Sequence, residues 1–342
     1  MNGKIRCLNG VMASGLAAGT AAALGAELDH YSPGGAGIRD FAMPEAGFYA
    51  GLYNYAYQSH RLNDANGNTI NSVTINPGPG RGTTLGVNVD VDQYGLTPTL
   101  TWVAPWKLAD IKFGANISPS FANSSLGASL STVTGRARSG SASSFGVGDL
   151  FVQPFWLGLT LTNWDFALGY GFYAPVGRYH TETITLGPLG PFKTTAPDNI
   201  GLGFWTHQIQ GAVYWYPRAD QRLAVMAALT YEINGNKEGF DLIPGQHLTL
   251  NWGVSKYFPL TSNENLMLEL GPAGYDSWQI TDDTGSNARN PGVHDQVHGV
   301  GGQLGITYAP WNVTLDFLYF YEFYAVDRFQ GQSLSINLAF TF

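Results

Sequence analysis

The chain is poor in charge. Of its 342 residues 17 are Lys or Arg and 25 are Asp or Glu, together 12%, about half the share of a soluble globular domain. It has one cysteine, Cys7, ahead of an Ala- and Gly-rich apolar stretch. Beyond that leader no disulfide framework and no thiol chemistry is open to the chain. No basic run offers itself to nucleic acid. After the N-terminus no apolar run approaches the roughly 18 residues of a spanning helix, and the mean hydropathy is -0.06. A chain of this kind that crosses a membrane does so as strands, which satisfy their backbone groups by pairing.

The leader has the parts of a secretory signal. Lys4 and Arg6 form a basic start, Leu8 to Leu24 is apolar, and Gly25-Ala26 offers a small-residue cleavage site, so residues 1–26 are expected to be removed. What remains carries 15 basic and 25 acidic residues, a net charge of -10, which repels nucleic acid and other anionic polymers.

In place of charge the chain has 44 glycines and 13% aromatic residues. Residues Gln332 to Phe342 show the pattern. Leu334, Ile336, Leu338, Phe340 and Phe342 fall on one face of an extended strand, with Ser333, Ser335, Asn337, Ala339 and Thr341 on the other. Strands of about ten residues that alternate in this way are the repeating unit of an outer-membrane β-barrel, and a terminal Phe is the usual ending.

The rest of the sequence extends the pattern to twelve strands, at Ala46–Tyr57, Val87–Val103, Ile111–Phe121, Gly146–Leu159, Trp164–Tyr173, Ile200–Tyr216, Arg222–Ile233, Gln246–Phe258, Leu266–Ile280, Val297–Tyr308, Val313–Tyr324 and Gln332–Phe342. Short turns alternate with mostly longer loops, among them a polar loop at 58–86, a Ser/Gly loop at 122–145 and a Pro-rich loop at 174–199. The turns at Ala104-Pro105-Trp106, Tyr216-Pro217, Phe258-Pro259 and Ala309-Pro310-Trp311 pair a strand-stopping Pro with a ring suited to an interfacial girdle. The reading is an all-β, transmembrane antiparallel barrel of about twelve strands over residues 46–342, with both termini periplasmic. Ahead of it, residues 27–45 form a Gly/Pro-rich coil without a period, either a periplasmic tail or a plug in the lumen.

An ionised group facing lipid costs a few kcal/mol near mid-membrane, so the strand carboxylates should point inward. The expected lumen holds Asp149, Glu232, Glu269, Asp316 and Glu322, with Tyr275, Gln279, Phe320 and Tyr324. Rings mixed with acceptor groups suit small, partly apolar solutes. Faces at Trp205, His207, Gln208 and Gln210 stay unassigned. No cofactor site and no metal site are expected. His294 and His298 read as solvated residues, and the Asn63–Asn68 loop and Asp282-Asp283 lack the ligand pattern of a twelve-residue Ca²⁺ loop. No outward strand position pairs a Ser with a His, as a barrel hydrolase would need.

Several short stretches are similar to the outer-membrane family named for the MetA pathway of phenol degradation. They are Tyr31-Ser32-Pro33-Gly34, Gly148-Asp149-Leu150, Ala174-Pro175-Val176-Gly177-Arg178-Tyr179, Phe240-Asp241-Leu242-Ile243-Pro244-Gly245, and Gly274-Tyr275 leading to Gln279, Thr281, Asp283 and Gly285. The resemblance implies a channel-like barrel in the outer membrane of a Gram-negative bacterium, taking up small aromatic or other hydrophobic compounds. The partners expected are membrane lipid, those solutes, and the assembly machinery that would read Phe340 and Phe342. A structural or adhesive barrel acting through its loops is the alternative.

Overall fold

In the computed structural model of the chain the described residues are 29–75, 83–131, 137–185, 191–196, 199–288 and 290–342. The expected signal peptide Met1–Ala26, the Pro77-Gly78-Pro79-Gly80 stretch, Pro188 and Pro197 lie outside them. Among them the strands are β1 (Gly47–Leu62), β2 (Ser72–Ile75), β3 (Thr83–Leu108), β4 (Ile111–Ser118), β5 (Phe121–Ser131), β6 (Ala137–Val147), β7 (Leu150–Thr160), β8 (Trp164–Ala174), β9 (Thr181–Thr185), β10 (Pro191–Thr195), β11 (Thr206–Trp215), β12 (Leu223–Asn234), β13 (His247–Pro259), β14 (Leu266–Gln279), β15 (Gln296–Tyr308), β16 (Val313–Val326) and β17 (Phe329–Thr341).

The sheet closes on itself, because β1 pairs with β17 on one side and with β3 on the other. A closed sheet has no edge to expose to lipid, which is the condition for spanning with strands. Both β4 and β5 pair with β3, and they pair in turn with β7 and β6. They are halves of one strand interrupted at Pro119, which has no N–H to give to the ladder. Likewise β6 and β7 are halves of the next strand, interrupted at Gly148-Asp149. Joined in this way the wall is a twelve-stranded antiparallel barrel.

Burial alternates along each strand as the sequence pattern requires. In β16 Phe317, Tyr319, Tyr321 and Phe323 are exposed, while Asp316, Leu318, Phe320 and Glu322 are buried. In β13 Thr249, Asn251 and Ser255 face inward and Trp252 and Val254 outward. The unassigned face of β11 resolves the same way, with Gln208 and Gln210 inside and Trp205 and Ile209 outside. At the short-turn end Trp106, Phe258 and Trp311 are exposed as girdle residues. Tyr216 differs, since its ring is buried in the lumen and stacks on Tyr214.

Three loops hold more structure than their composition suggested. Residues 122–145 fall largely in the β5–β6 hairpin, β9 and β10 pair within the Pro-rich loop, and the 58–86 stretch contains the end of β1, all of β2 and the start of β3. Small polar residues on both faces leave no hydrophobic period to detect.

The segment ahead of β1 runs through the barrel. Its side chains and backbone meet inward-facing residues of β4, β11, β12, β13, β14, β15 and β17, and Ile38 and Phe41 are buried there. β1 begins and β17 ends at the short-turn end, where the Phe342 N–H donates to the Phe48 carbonyl. Asp29, by contrast, lies at the long-loop end, where it feels the charges of His247, Asp295 and Arg328. The first and last wall strands thus meet at the short-turn end, while the described part of the luminal segment starts at the long-loop end. Gly34 makes the path possible. It has φ +75, and a Cβ there would stand 2.8 Å from the Phe320 ring and 3.0 Å from Tyr275.

Candidate functional site: a filled lumen

The luminal segment is anchored at three levels. At the long-loop end the Tyr31 N–H donates to Glu232 Oε2 at 3.1 Å, and Asn251 Nδ2 donates to the Tyr31 hydroxyl at 3.0 Å. His30 is fully buried, with Nε2 3.0 Å from Asp149 Oδ2 and Nδ1 2.8 Å from Thr206 Oγ1. Midway, Asn337 Nδ2 donates to the Gly35 carbonyl at 2.9 Å, and the Ile38 N–H donates to Gln303 Oε1 at 2.6 Å. The Tyr214 hydroxyl donates to the Ile38 carbonyl at 2.9 Å and accepts from the Phe41 N–H at 3.1 Å. Backbone groups that leave water at a coil are thus taken up by wall side chains, as buried polar groups require.

At the short-turn end Arg39 carries most of the anchoring. Its Nε donates to Glu269 Oε1 at 2.9 Å and to Ser255 Oγ at 3.2 Å. Nη1 and Nη2 reach the carbonyls of Gln221 at 3.2 Å and Arg222 at 2.8 Å, and the guanidinium lies 4.3 Å from the Tyr257 ring centroid. Lys112 Nζ closes the end by donating to Glu45 Oε1 at 2.8 Å.

Eight of the nine expected lumen residues are buried inside the barrel: Asp149, Glu232, Glu269, Tyr275, Gln279, Asp316, Phe320 and Glu322. They do not line one open surface. Glu269 and Asp316 share Gln303, whose Nε2 is 3.3 Å and 3.1 Å from them, beside Arg39. Glu322 collects the Tyr57 hydroxyl at 2.8 Å, the Tyr275 hydroxyl at 3.1 Å and the Gly331 N–H at 2.6 Å, with Phe320 packed on Tyr275. Gln279, the last residue of β14, donates to the loop residue Asp283 Oδ1 at 3.0 Å. The ninth, Tyr324, is a correction. The β15–β16 register shifts between His298 and Gly299, leaving Phe323 unpaired opposite them, and Tyr324 turns outward against the His298 ring.

Sequence reasoning missed His30, Arg39 and Gln303, and also the group His247, Asp295 and Arg328. Asp295 accepts from His247 Nε2 at 2.8 Å and from Arg328 Nη1 at 2.9 Å. Burial opposes its ionisation, but these two partners outweigh burial and hold its carboxyl below the usual range. Parity placed Asn251 on the inner face of β13, and the same parity in β15 could have placed Gln303 inside. Nothing local distinguishes His30, because its partners lie 119 and 176 residues away.

Among the described residues cavities remain at both ends of the luminal segment. One of about 50 Å³ at the long-loop end is lined by Tyr31, Tyr55, Tyr57, Tyr275, Glu322 and Arg328 among others. One of about 70 Å³ at the short-turn end is lined by Arg39, Met43, Lys112, Tyr216 and Tyr257 among others. Among the described residues no group of three or more His, Cys, Asp or Glu is placed to hold a metal ion.

The family model described as "Putative MetA-pathway of phenol degradation" matches residues 59–338. The chain belongs to this family. The COG4313 outer membrane channel from Pseudomonas putida F1 superposes on it with a TM-score of 0.58 at 13% identity, over 89% of this chain and 98% of that one. The β domain of the Bordetella autotransporter BrkA gives 0.47 at 11% identity, over 87% and 100%. A mutant of the monoaromatic hydrocarbon channel TodX gives 0.39 at 9%, over 87% and 90%. Comparison with curated protein sequences finds no match. At 13% identity the likeness to the P. putida channel is one of fold, and the fold is that of an outer-membrane β-barrel.

Proposed function

We propose that the protein is an outer-membrane channel for small hydrophobic or aromatic compounds, closed in the present state by residues 29–45. The observation that carries this reading is the ring-rich lumen. Tyr31, Tyr55, Tyr57 and Tyr275 surround the cavity at the long-loop end, where a solute from outside would first lodge. Such a pocket pairs apolar ring faces with a few polar groups that orient a ligand. Membership of the family fits the same class of solute. Passage requires the segment to leave or shift, since it fills the barrel between the two cavities. Assembly through a β-signal at Phe340 and Phe342 is part of the same proposal, with Phe342 82% exposed at the short-turn end and free to be read.

The filled lumen also favours a second reading, a closed barrel that acts through its loops as a structural or adhesive element. Deleting residues 29–44 and comparing aromatic-solute uptake into liposomes and single-channel conductance with the intact chain separates the two. The channel reading expects solute flux through the intact protein and a large rise in conductance on deletion. Absence of flux in both forms would leave the loop reading standing.

A further inference from the structure

The hydrogen bonds around His30 determine its protonation. Asn234 Nδ2 donates to the Gly245 carbonyl at 2.8 Å, which fixes the amide so that its Oδ1 faces Thr206. The Thr206 hydroxyl must then give its only proton to Asn234 Oδ1, 2.7 Å away. It has none left for His30 Nδ1 at 2.8 Å, so Nδ1 is the donor. On the other side of the ring, Nε2 is 3.0 Å from Asp149 Oδ2. That carboxylate already accepts the Leu202 N–H at 2.8 Å on Oδ2 and the Gly177 N–H at 2.9 Å on Oδ1. With Asp149 ionised both ring nitrogens must donate, and only the imidazolium can.

The surroundings suit a cation. Tyr173 of β8 stacks on the His30 ring with centroids 4.6 Å apart and planes at 20°, and Phe204 meets it edge-on at 5.0 Å. The charged groups packed around it are the adjoining Asp29, Asp149 at the start of β7, and Glu232 of β12, which holds the next backbone N–H. All are acidic.

We propose that His30 is a proton-dependent positioning residue, which holds the long-loop end of the luminal segment against the wall while protonated and releases it when the proton is lost. A neutral ring presents a lone pair to either Thr206 Oγ1 or Asp149 Oδ2, both buried from bulk solvent. Asp149 also ties down the loop at Gly177 and Leu202, so release frees the loop and the segment together. The pH dependence has one sign. Docking requires the ring's second proton, so it weakens as pH rises. As a control of passage, the latch rests on the channel reading above.

The test labels the barrel with ¹⁵N-histidine and assigns the His30 ring by its loss in His30→Gln. Both ring nitrogens are expected to carry protons near neutral pH, and a single-tautomer spectrum would overturn the proposal. A thiol at Ala36→Cys in a Cys7→Ser background reports release through the ratio of its maleimide reaction rate to that of free cysteine at the same pH, which removes the thiol's own ionisation. This ratio should climb about tenfold between roughly pH 6.5 and 9, the equivalent of one buried hydrogen bond. It should be high and nearly flat over that range in His30→Gln. Thr206→Val removes the acceptor that forces Nδ1 to donate and should flatten the profile even if His30→Gln fails to assemble. A Thr206→Val profile identical to that of the parent sinks the latch. Labelling that follows the latch without solute flux sinks the channel reading and leaves the latch intact.

Discussion

Replacing Arg39 with Met tests whether the luminal segment is held by the wall or merely rests in it. The change keeps much of the side-chain length and apolar stem but removes four donated hydrogen bonds, to Glu269, Ser255 and the carbonyls of Gln221 and Arg222. The lost contacts are the smaller part. Glu269 is 2% exposed and is left beside Asp316 with only the shared Gln303 amide between them. Breaking a buried pair by removing one partner costs about 3–5 kcal/mol, most of it the stranded charge. Converted to an equilibrium, Arg39→Met should raise undocking of the segment by about a hundred- to several-thousand-fold. The rate at which a maleimide reacts with Ala36→Cys reads this out directly. The double variant Arg39→Met with Glu269→Gln removes the stranded charge and should recover more than half of the loss. A single variant that labels within threefold of the parent would refute the reasoning, as would a double variant no better than the single one.

Two further outcomes concern the wall. Asp327 lies in the tight β16–β17 connection with φ 51, and its carboxyl is pushed up to about 6 by partial burial and by Asp295, Asp283 and Asp64. A raised carboxyl makes stability fall as pH climbs from the ordinary Asp value to about 6 and leaves it flat above. Asp327→Asn, which tolerates a left-handed backbone, should therefore raise thermal stability above pH 6 by about 1 kcal/mol after allowance for solvent screening, with no gain near pH 4; the pH series of unfolding midpoints checks it. Gly301→Ala is expected to destabilise the barrel by about 3 kcal/mol or more, because the new Cβ would stand 1.8 Å from the Tyr319 carbonyl oxygen; heat-modifiability on gels measures it, and an unchanged transition would contradict the packing.

The barrel was legible because a membrane wall imposes a strict two-sided rule. Charges in β12, β14 and β16 had one acceptable direction, and parity alone assigned Glu232, Glu269, Asp316 and Glu322 to the lumen. The same rule misplaced Tyr324, since one extra residue at the β15–β16 bulge reverses the parity of the residues beyond it. It was silent on β5 and β6, whose many small polar residues leave no hydrophobic period. The site was less legible than the wall. A coil has no period, so nothing in residues 29–45 announced that Arg39 would meet Glu269, 230 residues away, or that the segment would run from the long-loop end to the short-turn end.

The charge balance inside the barrel says what the wall is made for. Its buried carboxylates, Asp149, Glu232, Glu269, Asp316 and Glu322, outnumber its buried cations, and the segment brings Arg39 and His30 to two of them. A wall evolved as a bare pore for apolar solutes has no use for unpaired acid groups, which cost free energy wherever water is thin. As a socket for the segment it needs them. Removing residues 29–44 should therefore expose an acidic lumen, and the opened barrel should prefer cations. Adding Glu269→Gln and Asp316→Asn to the deletion should cut that preference sharply, as read from reversal potentials in a salt gradient. A deletion variant without cation preference would mean that these carboxylates are protonated or turned away once the segment is gone, and that the wall and segment are less matched than their contacts indicate.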